Sequence, residues 1–363
     1  MKTELLDYDL PDACIARRPP AERDGGRLLV LERSGVRHAL VTDWADLIEP
    51  GSLVVVNDTR VRRARVVGVR RGGGGRVEFL LMRRLDAENG IPQKTARFQA
   101  LGRASRPLRP GTLVEAAPLG STGMEAQRVC VEVLERKAAG LLEVAVTGEP
   151  DVESALEMMG HMPLPPYLGR PDDEQDSLRY QTVFARKLGS VAAPTAGLHL
   201  SERLILRLKQ RDVRVASLTL QIGMDTFRPI RTAEVDLHPM HTESFEVSAE
   251  LASEVQAARN RGSRILAVGT TVVRALESAR APTNSGLIQP TRKDTQLFIR
   301  AGYRFSVVDG MLTNFHQPKS TLLALVCAFA GRERVLGAYA EAVTRSYRFL
   351  SYGDAMWIPD RID

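Results

Sequence analysis

Apolar positions fall in short blocks over the first 150 residues and spread into longer amphipathic stretches beyond them. Residues 27–31 (RLLVL) and 53–56 (LVVV) are compact apolar runs bounded by Gly, Pro and Asp, which predicts buried strands. From about 61 to 150 the pattern is almost entirely strand and turn. The runs 77–80, 98–101, 112–115, 129–134 and 142–146 are separated by turn signals such as Pro110-Gly111 and Ala139-Gly140. Short strands at that spacing predict a small sheet or barrel. The four glycines 72–75 have arginines on both sides and no Gly-Lys-Ser/Thr after them, so they read as a hairpin turn rather than a phosphate loop.

After residue 151 the texture changes. Residues 162–167 (MPLPPY) are too proline-rich for a helix and predict an extended connection. Beyond them helices and strands alternate. Ser201 can cap a helix running to 210, followed by a strand at 213–220; a helix at 250–261 precedes a strand at 265–268. Thr270 or Thr271 can cap the next helix, 272–279, and a strand near 305–308 leads to helices at 321–332 and 334–347. Alternation of this kind predicts an α/β domain. The opening strands share its buried character. Residues 1–60 and 151–363 are therefore read as one α/β domain, with 61–150 inserted into it as an all-β domain.

Composition narrows the class. With 44% hydrophobic residues the chain can bury a sizeable core, which excludes wholesale disorder. The longest apolar run, 322–330, is about half of the ~20 residues a membrane helix needs. Residues 1–12 carry acids and no apolar stretch, so no secretory signal is visible, and a cytoplasmic protein without a membrane partner is expected. Cys14, Cys130 and Cys327 lie far apart, which argues against a disulfide framework or a cysteine zinc site.

Charge is more informative. The net is +6, and only seven of the 50 basic residues are lysine. Arginine suits bidentate phosphate binding, although codon bias would give the same excess, so distribution matters more than the total. Between 57 and 84 nine arginines face only Asp58 and Glu78, leaving that stretch at +7. Arg62, Arg63, Arg70 and Arg71 within it are the expected RNA-binding residues.

Candidate chemistry gathers in loops. The junction Val268-Gly269-Thr270-Thr271 places helix-start N–H groups beyond a strand's carboxyl end, a suitable anion or nucleotide site, but it lacks the dinucleotide pattern Gly-x-Gly-x-x-Gly. His199 follows Ala193-Pro194-Thr195-Ala196-Gly197, and His316 lies in a loop ahead of a helix. Both positions suit acid–base work or ligand hydrogen bonds. His238 and His241 invite a zinc reading, but Pro239 spoils helical presentation, and no metal is expected. Tyr352-Gly353-Asp354 is a tight turn or a binding loop.

These segments together resemble the S-adenosylmethionine:tRNA ribosyltransferase-isomerase family of queuosine biosynthesis over nearly the whole length. The resemblance is carried by Tyr8-Asp9-Leu10-Pro11, by 55–61 (VVNDTRV), 160–167 (GHMPLPPY) and 179–185 (RYQTVFA). It continues through 190–199 (SVAAPTAGLH), 226–229 (TFRP), 240–243 (MHTE), 267–277 (AVGTTVVRALE), 312–322 (LTNFHQPKSTL) and 351–356 (SYGDAM). So many short motifs in one order form a specific signal.

The resemblance implies an α/β barrel-like main domain carrying the β insertion. It also implies transfer of the ribosyl part of S-adenosylmethionine onto 7-aminomethyl-7-deazaguanine at the tRNA wobble position, giving epoxyqueuosine with release of adenine and methionine. No cofactor is implied, because S-adenosylmethionine is consumed as a substrate, and a monomer is expected. On the matching motifs, His199, His241, Glu243, His316 and Asp354 are the candidate catalytic groups. Asp58, Arg60, Thr195, Thr270, Thr271, Arg274 and Lys319 are the candidate substrate contacts. The chain departs from the family at Gln221 and Asp225, where a histidine and a glycine are common, and at Arg62-Arg63. An inactive tRNA-binding relative and an S-adenosylmethionine methyltransferase are the rival readings. Histidines at 199, 241 and 316 weigh against the first, and the lack of an early glycine-rich nucleotide loop against the second.

Overall fold

A computed structural model describes residues 1–86, 92–116, 129–223, 229–282 and 286–362. The chain opens with an antiparallel hairpin of β1 (Arg27–Glu32) and β2 (Gly35–Leu40), then passes through β3 (Leu53–Asn57) and the short β4 (Thr59–Val61). Next come β5 (Arg65–Arg70), β6 (Arg76–Arg84), β7 (Thr95–Ala104), β8 (Leu113–Ala116), β9 (Val129–Arg136) and β10 (Leu141–Thr147). These six close into an antiparallel barrel in the order β10-β7-β6-β5-β8-β9. Period-2 alternation fills it: Val77, Phe79 and Leu81 of β6 point inward and are buried, while Glu78 and Leu80 between them are partly exposed. Gly72 and Gly74, both with positive φ, form the turn between β5 and β6 as the sequence predicts. Helix α1 (Val152–Met159) then seats Val152, Ala155, Leu156 and Met159 in the barrel's own core.

The remaining elements are α2 (Glu174–Arg179), β11 (Lys187–Ser190), α3 (Glu202–Gln210), β12 (Arg214–Leu220), β13 (Glu243–Val247), α4 (Ala249–Asn260), β14 (Ile265–Val268), α5 (Thr270–Ser278), β15 (Thr291–Thr295), β16 (Gly310–Asn314), α6 (Thr321–Ala330), α7 (Arg332–Thr344) and β17 (Ala355–Ile358). Ser201, Ser248 and Ser320 cap α3, α4 and α6 by accepting from the N–H three residues on, as short polar side chains at helix starts do. A nine-stranded mixed sheet runs β15-β13-β12-β3-β14-β16-β17-β1-β2. Its centre, β12-β3-β14-β16, is parallel, and β3 is buried along its whole length. Leu53 and Val55 face one core with α4 and α5, whereas Val54 and Val56 face the other with Trp44, Trp357 and α3. Covering both faces explains why the strand reads as a continuous apolar run.

Three expectations need correction. The main sheet is open, with β15 and β2 at its edges, so among the described residues only the inserted strands close into a barrel. Residues 305–308 form a loop rather than a strand, because buried Glu277 of α5 accepts the N–H groups of Ser306, Val307 and Val308. Neither threonine caps α5; Gly269, at φ +97°, takes that position.

At Gly160, just after α1, the chain passes closely over the segment that leads into β5. A Cβ there would collide with the Arg63 carbonyl oxygen and lie 2.6 Å from that of Leu156. Gly160→Ala is therefore expected to destabilise by about 2–3 kcal/mol, read as a lowered thermal midpoint. An unchanged midpoint would mean the contact is looser than this.

Candidate functional site

The four parallel strands end together, and the segments after β12, β14 and β16 build one cleft. Ligands of open α/β sheets bind beyond the carboxyl ends of such strands. One chamber is lined by Pro194, Thr195, Ile222, Gly269, Thr270, Thr271, Asn314 and His316. A second, lined by Tyr167, Phe315, Gln317, Ser320, Leu350 and Ser351, shares Thr195, Asn314, His316 and Leu322 with the first.

Asn314, the last residue of β16, is buried and organises the wall between the chambers. Its Oδ1 accepts from Thr195 Oγ1 at 2.9 Å, and its Nδ2 donates to the Leu350 carbonyl at 3.2 Å and faces His199 Nε2 at 3.0 Å. With this amide orientation Nε2 of His199 is the acceptor, so the neutral ring carries its proton on Nδ1. Burial pushes the His199 pKa down to about 4, partly opposed by nearby Asp354. His316 is buried as well, and desolvation pushes it down to about 3. Its Nε2 lies 2.9 Å from Thr313 Oγ1, and its backbone N–H donates to Tyr339 Oη at 3.0 Å. Both imidazoles are therefore neutral near pH 7, unlike the freely titrating rings their loop positions suggest.

The start of α5 forms the floor of the first chamber. Thr271 is 6% exposed, and its Oγ1 is buried without a hydrogen-bond partner. The Gly269 carbonyl accepts from the N–H groups of Val272 and Val273, so Thr270 and Thr271 N–H stand ahead of the first helical bonds. Unused donors at the positive end of a helix favour an anion or a strongly polar group. In the second chamber the hydroxyls of Tyr167 and Ser351 are hydrogen-bonded at 2.5 Å, and burial pushes the phenol pKa upward.

The other expected residues lie outside this cleft. His241 Nε2 is 3.2 Å from Glu243 Oε1, and the opposite carboxylate oxygen accepts from Arg274, forming a buried ion network between β13 and α5. Arg274 also donates through Nε to the Leu297 carbonyl at 3.1 Å. Asp354 accepts the N–H groups of Arg27 and Arg348 at 2.9 and 2.8 Å and the Arg27 side chain, which fixes the 348–354 turn. Asp58 accepts from Thr219 Oγ1 at 2.6 Å and lines a different groove, along β12 between α3 and α4. Lys319 pairs with Asp7 at 2.7 Å. Arg62 is a correction: it is buried and paired bidentately with Glu153 at 2.8 and 2.9 Å, and so cannot reach an RNA phosphate. Arg71 is held by Glu115 at 2.8 Å, and Arg70 donates to the carbonyls of Arg106 and Pro107. Arg60 and Arg63 remain at the surface near Glu157. Gln221 follows β12, and its side chain packs against Gly189. Asp225 and residues 226–228 lie outside the described residues.

Sequence reasoning missed Asn314, Tyr167 and Ser351 as site residues, although all three lie in segments that carry the resemblance. Among the described residues no group of three or more His, Cys, Asp or Glu side chains is arranged to hold a metal ion, and no helix is long and apolar enough to cross a membrane.

The chain combines an α/β sheet, a two-chambered cleft at its strand ends and a closed β-barrel. Residues 3–358 match the model of the family described as queuosine biosynthesis protein, and the chain belongs to that family. It is 51% identical to S-adenosylmethionine:tRNA ribosyltransferase-isomerase of Sorangium cellulosum, covering 99% of this chain and 98% of that one. The protein of the same name from Anaeromyxobacter dehalogenans strain 2CP-1 is 47% identical over 98% of this chain and 99% of its own. Among solved structures, that of S-adenosylmethionine tRNA ribosyltransferase from Thermotoga maritima matches with a TM-score of 0.51 at 31% identity, covering 98% and 99% of the two chains. The chain is thus an enzyme of the transferase-isomerase class.

The buried histidines set an acid limit on stability. Because the His199 pKa is lower folded than unfolded, the unfolded chain takes up more protons as pH falls below about 6.5. Its contribution is complete above that pH and is lost as pH falls towards about 4. The thermal midpoint of the wild type is expected to fall more steeply across this window than that of His199→Gln. Parallel curves would show that His199 does not drive the loss.

Proposed function

We propose that this enzyme transfers the ribosyl group of S-adenosylmethionine to 7-aminomethyl-7-deazaguanine at the wobble position of tRNA. The ribose rearranges to an epoxycyclopentanediol, so the products are epoxyqueuosine-tRNA, adenine and methionine. It acts as a monomer in the cytoplasm, with residues 1–60 and 151–363 as the catalytic unit and 61–150 as an inserted module. The observation that carries the reading is the family match over residues 3–358, and the small paired chambers joined at Thr195, Asn314 and His316 are the place it suggests for the substrate. S-adenosylmethionine has two unlike ends about a sulfonium, and the chambers differ in the same sense. The donors of Thr270 and Thr271 at the α5 start suit the methionine carboxylate. The Tyr167 and Ser351 hydroxyls suit the nucleoside end.

The chemistry needs proton movement. The sulfonium acidifies the C5′ hydrogens, departing adenine must be protonated, and the attacking amine must be neutral. His316 lines both chambers and is assigned the proton transfer. His199, held by Asn314, is a positioning residue for the wall it supports. His241, Glu243 and Arg274 brace α5 beneath the chamber, and Asp354 fixes the turn beside Ser351. No metal takes part in this scheme: Glu243, the acid nearest the His238/His241 pair, already lies between His241 and the Arg274 cation.

His316→Ala should lower the single-turnover rate by about 10²–10⁴ while S-adenosylmethionine and tRNA affinities stay within a few-fold. His199→Ala should act more on S-adenosylmethionine affinity. Near-normal rates in both variants would remove the histidines from the chemical step. Product mass decides between readings, since a methyl addition or an unchanged tRNA would refute ribosyl transfer. Turnover after exhaustive chelation is expected to be complete; a loss reversed specifically by zinc would contradict the metal-free scheme.

A further inference from the structure

The +7 stretch of the sequence is largely neutralised in three dimensions. Arg62 meets Glu153, Arg65 meets Glu78, Arg71 meets Glu115, and Arg84 lies near Glu153 and Asp86. Surplus positive charge gathers instead at the seam between the barrel and the sheet. A crevice there is lined by Arg23, Arg60 and Arg63, with Glu157 as its one acidic lining residue among those described. Arg60 Nη2 is 3.1 Å from Glu157, and Arg63 is 3.9 Å from the same carboxylate, so two cations share one anion.

Arg23 adds to the imbalance. Its guanidinium donates to the carbonyls of Gln181 and Leu178, both at 2.7 Å, and no carboxylate pairs with it among the described residues. Arg179 donates to the carbonyls of Pro20 and Ala21 in return, and its Nε is buried without a partner. The two cations are close enough that Arg179, after burial, lowers the Arg23 pKa. Like charges clasped through neutral carbonyls are costly without a counter-charge, and an anion between them would relieve that cost. Leu178, 73% exposed on the crevice lining, offers apolar surface for a base or sugar beside a phosphate.

The crevice also has a direct mechanical link to the cleft. Gln181 is bonded through its amide to both the N–H and the carbonyl of Val61, at 2.9 and 2.7 Å, which stitches the seam. Thr182, also in the lining, packs against Gly197 in the loop that carries Thr195 and His199. Through Thr182 the crevice thus touches the loop that walls the two-chambered cleft.

We propose that this seam, through Arg23, Arg60 and Arg63, binds the phosphodiester backbone of the RNA strand whose modified base enters the cleft, while the outer face of the barrel contributes little. The inference rests on the tRNA reading above and specifies where that substrate is held. Guanidinium forks match phosphate oxygens, and a single strand bends its backbone along such a groove.

The test is the salt dependence of tRNA binding by the full-length enzyme. Arg60→Ala/Arg63→Ala should weaken binding about tenfold at 0.15 M salt and reduce the slope of log affinity against log salt by roughly 1.4, two single-strand phosphate contacts' worth. Arg60→Ala alone, at a half-exposed side chain, should lose about half of that slope. Arg261→Ala, exposed at the C-cap of α4, should leave both quantities unchanged and controls for net charge. S-adenosylmethionine affinity should be unaltered, which also verifies folding. Wild-type binding with unchanged affinity and slope in both seam variants would overturn the proposal and leave the tRNA reading intact. No tRNA binding by the wild type would defeat that reading itself.

Discussion

One buried amide holds the site together. Asn314 ends β16 where four parallel strands stop, and its side chain joins the 194–199 loop through Thr195 and His199 to the 348–354 turn through the Leu350 carbonyl. Those segments lie outside the sheet, so nothing in the sheet ladder itself would fix their relative positions. A buried amide with both ends engaged does so, because leaving either end unpaired costs about 1–3 kcal/mol. The arrangement also explains the state of His199: an imidazole whose Nε2 faces an amide N–H, in a site too dry for charge, stays neutral.

The same economy of buried polarity recurs around α5. Glu277 captures three backbone N–H groups and shapes the 305–308 loop, while Glu243 lies between His241 and the Arg274 cation a turn away. Breaking such a network by removing one partner leaves an uncompensated buried charge. Above that network α5 turns toward the cleft a buried hydroxyl that has no partner, Thr271 Oγ1. The helix is braced below and open above, as an element that receives a polar ligand needs to be.

Much of the fold is legible in the sequence wherever burial writes a pattern. β3 reads as a strand because both faces are covered, and the barrel strands alternate because only one is. β15, with the sequence TRKDT, carries no such signal, since it is a polar edge strand that follows its neighbour β13. The apolar run 305–308 misleads for the opposite reason: its backbone donors are taken by a carboxylate distant in sequence. At the site, Thr270 and Thr271 are legible as a strand-to-helix junction and His316 as a loop residue ahead of a helix, while Thr195 comes from the resemblance. Asn314, Tyr167 and Ser351 share those motifs, but their importance lies in partners far along the chain, which no local pattern encodes. Charge is the clearest case. Arg62 belongs to the densest basic stretch yet is buried, because Glu153, in another element, reaches back to it.

The central claim is that Asn314 assembles a cleft for S-adenosylmethionine at the ends of the parallel strands, and calorimetric titration tests it most directly. Asn314→Ala should lower S-adenosylmethionine affinity by about tenfold or more, the scale of one lost buried hydrogen-bonding centre, while tRNA affinity stays within a few-fold and reports an intact fold. Unchanged S-adenosylmethionine affinity in a variant that still binds tRNA would place the small substrate elsewhere and contradict the account.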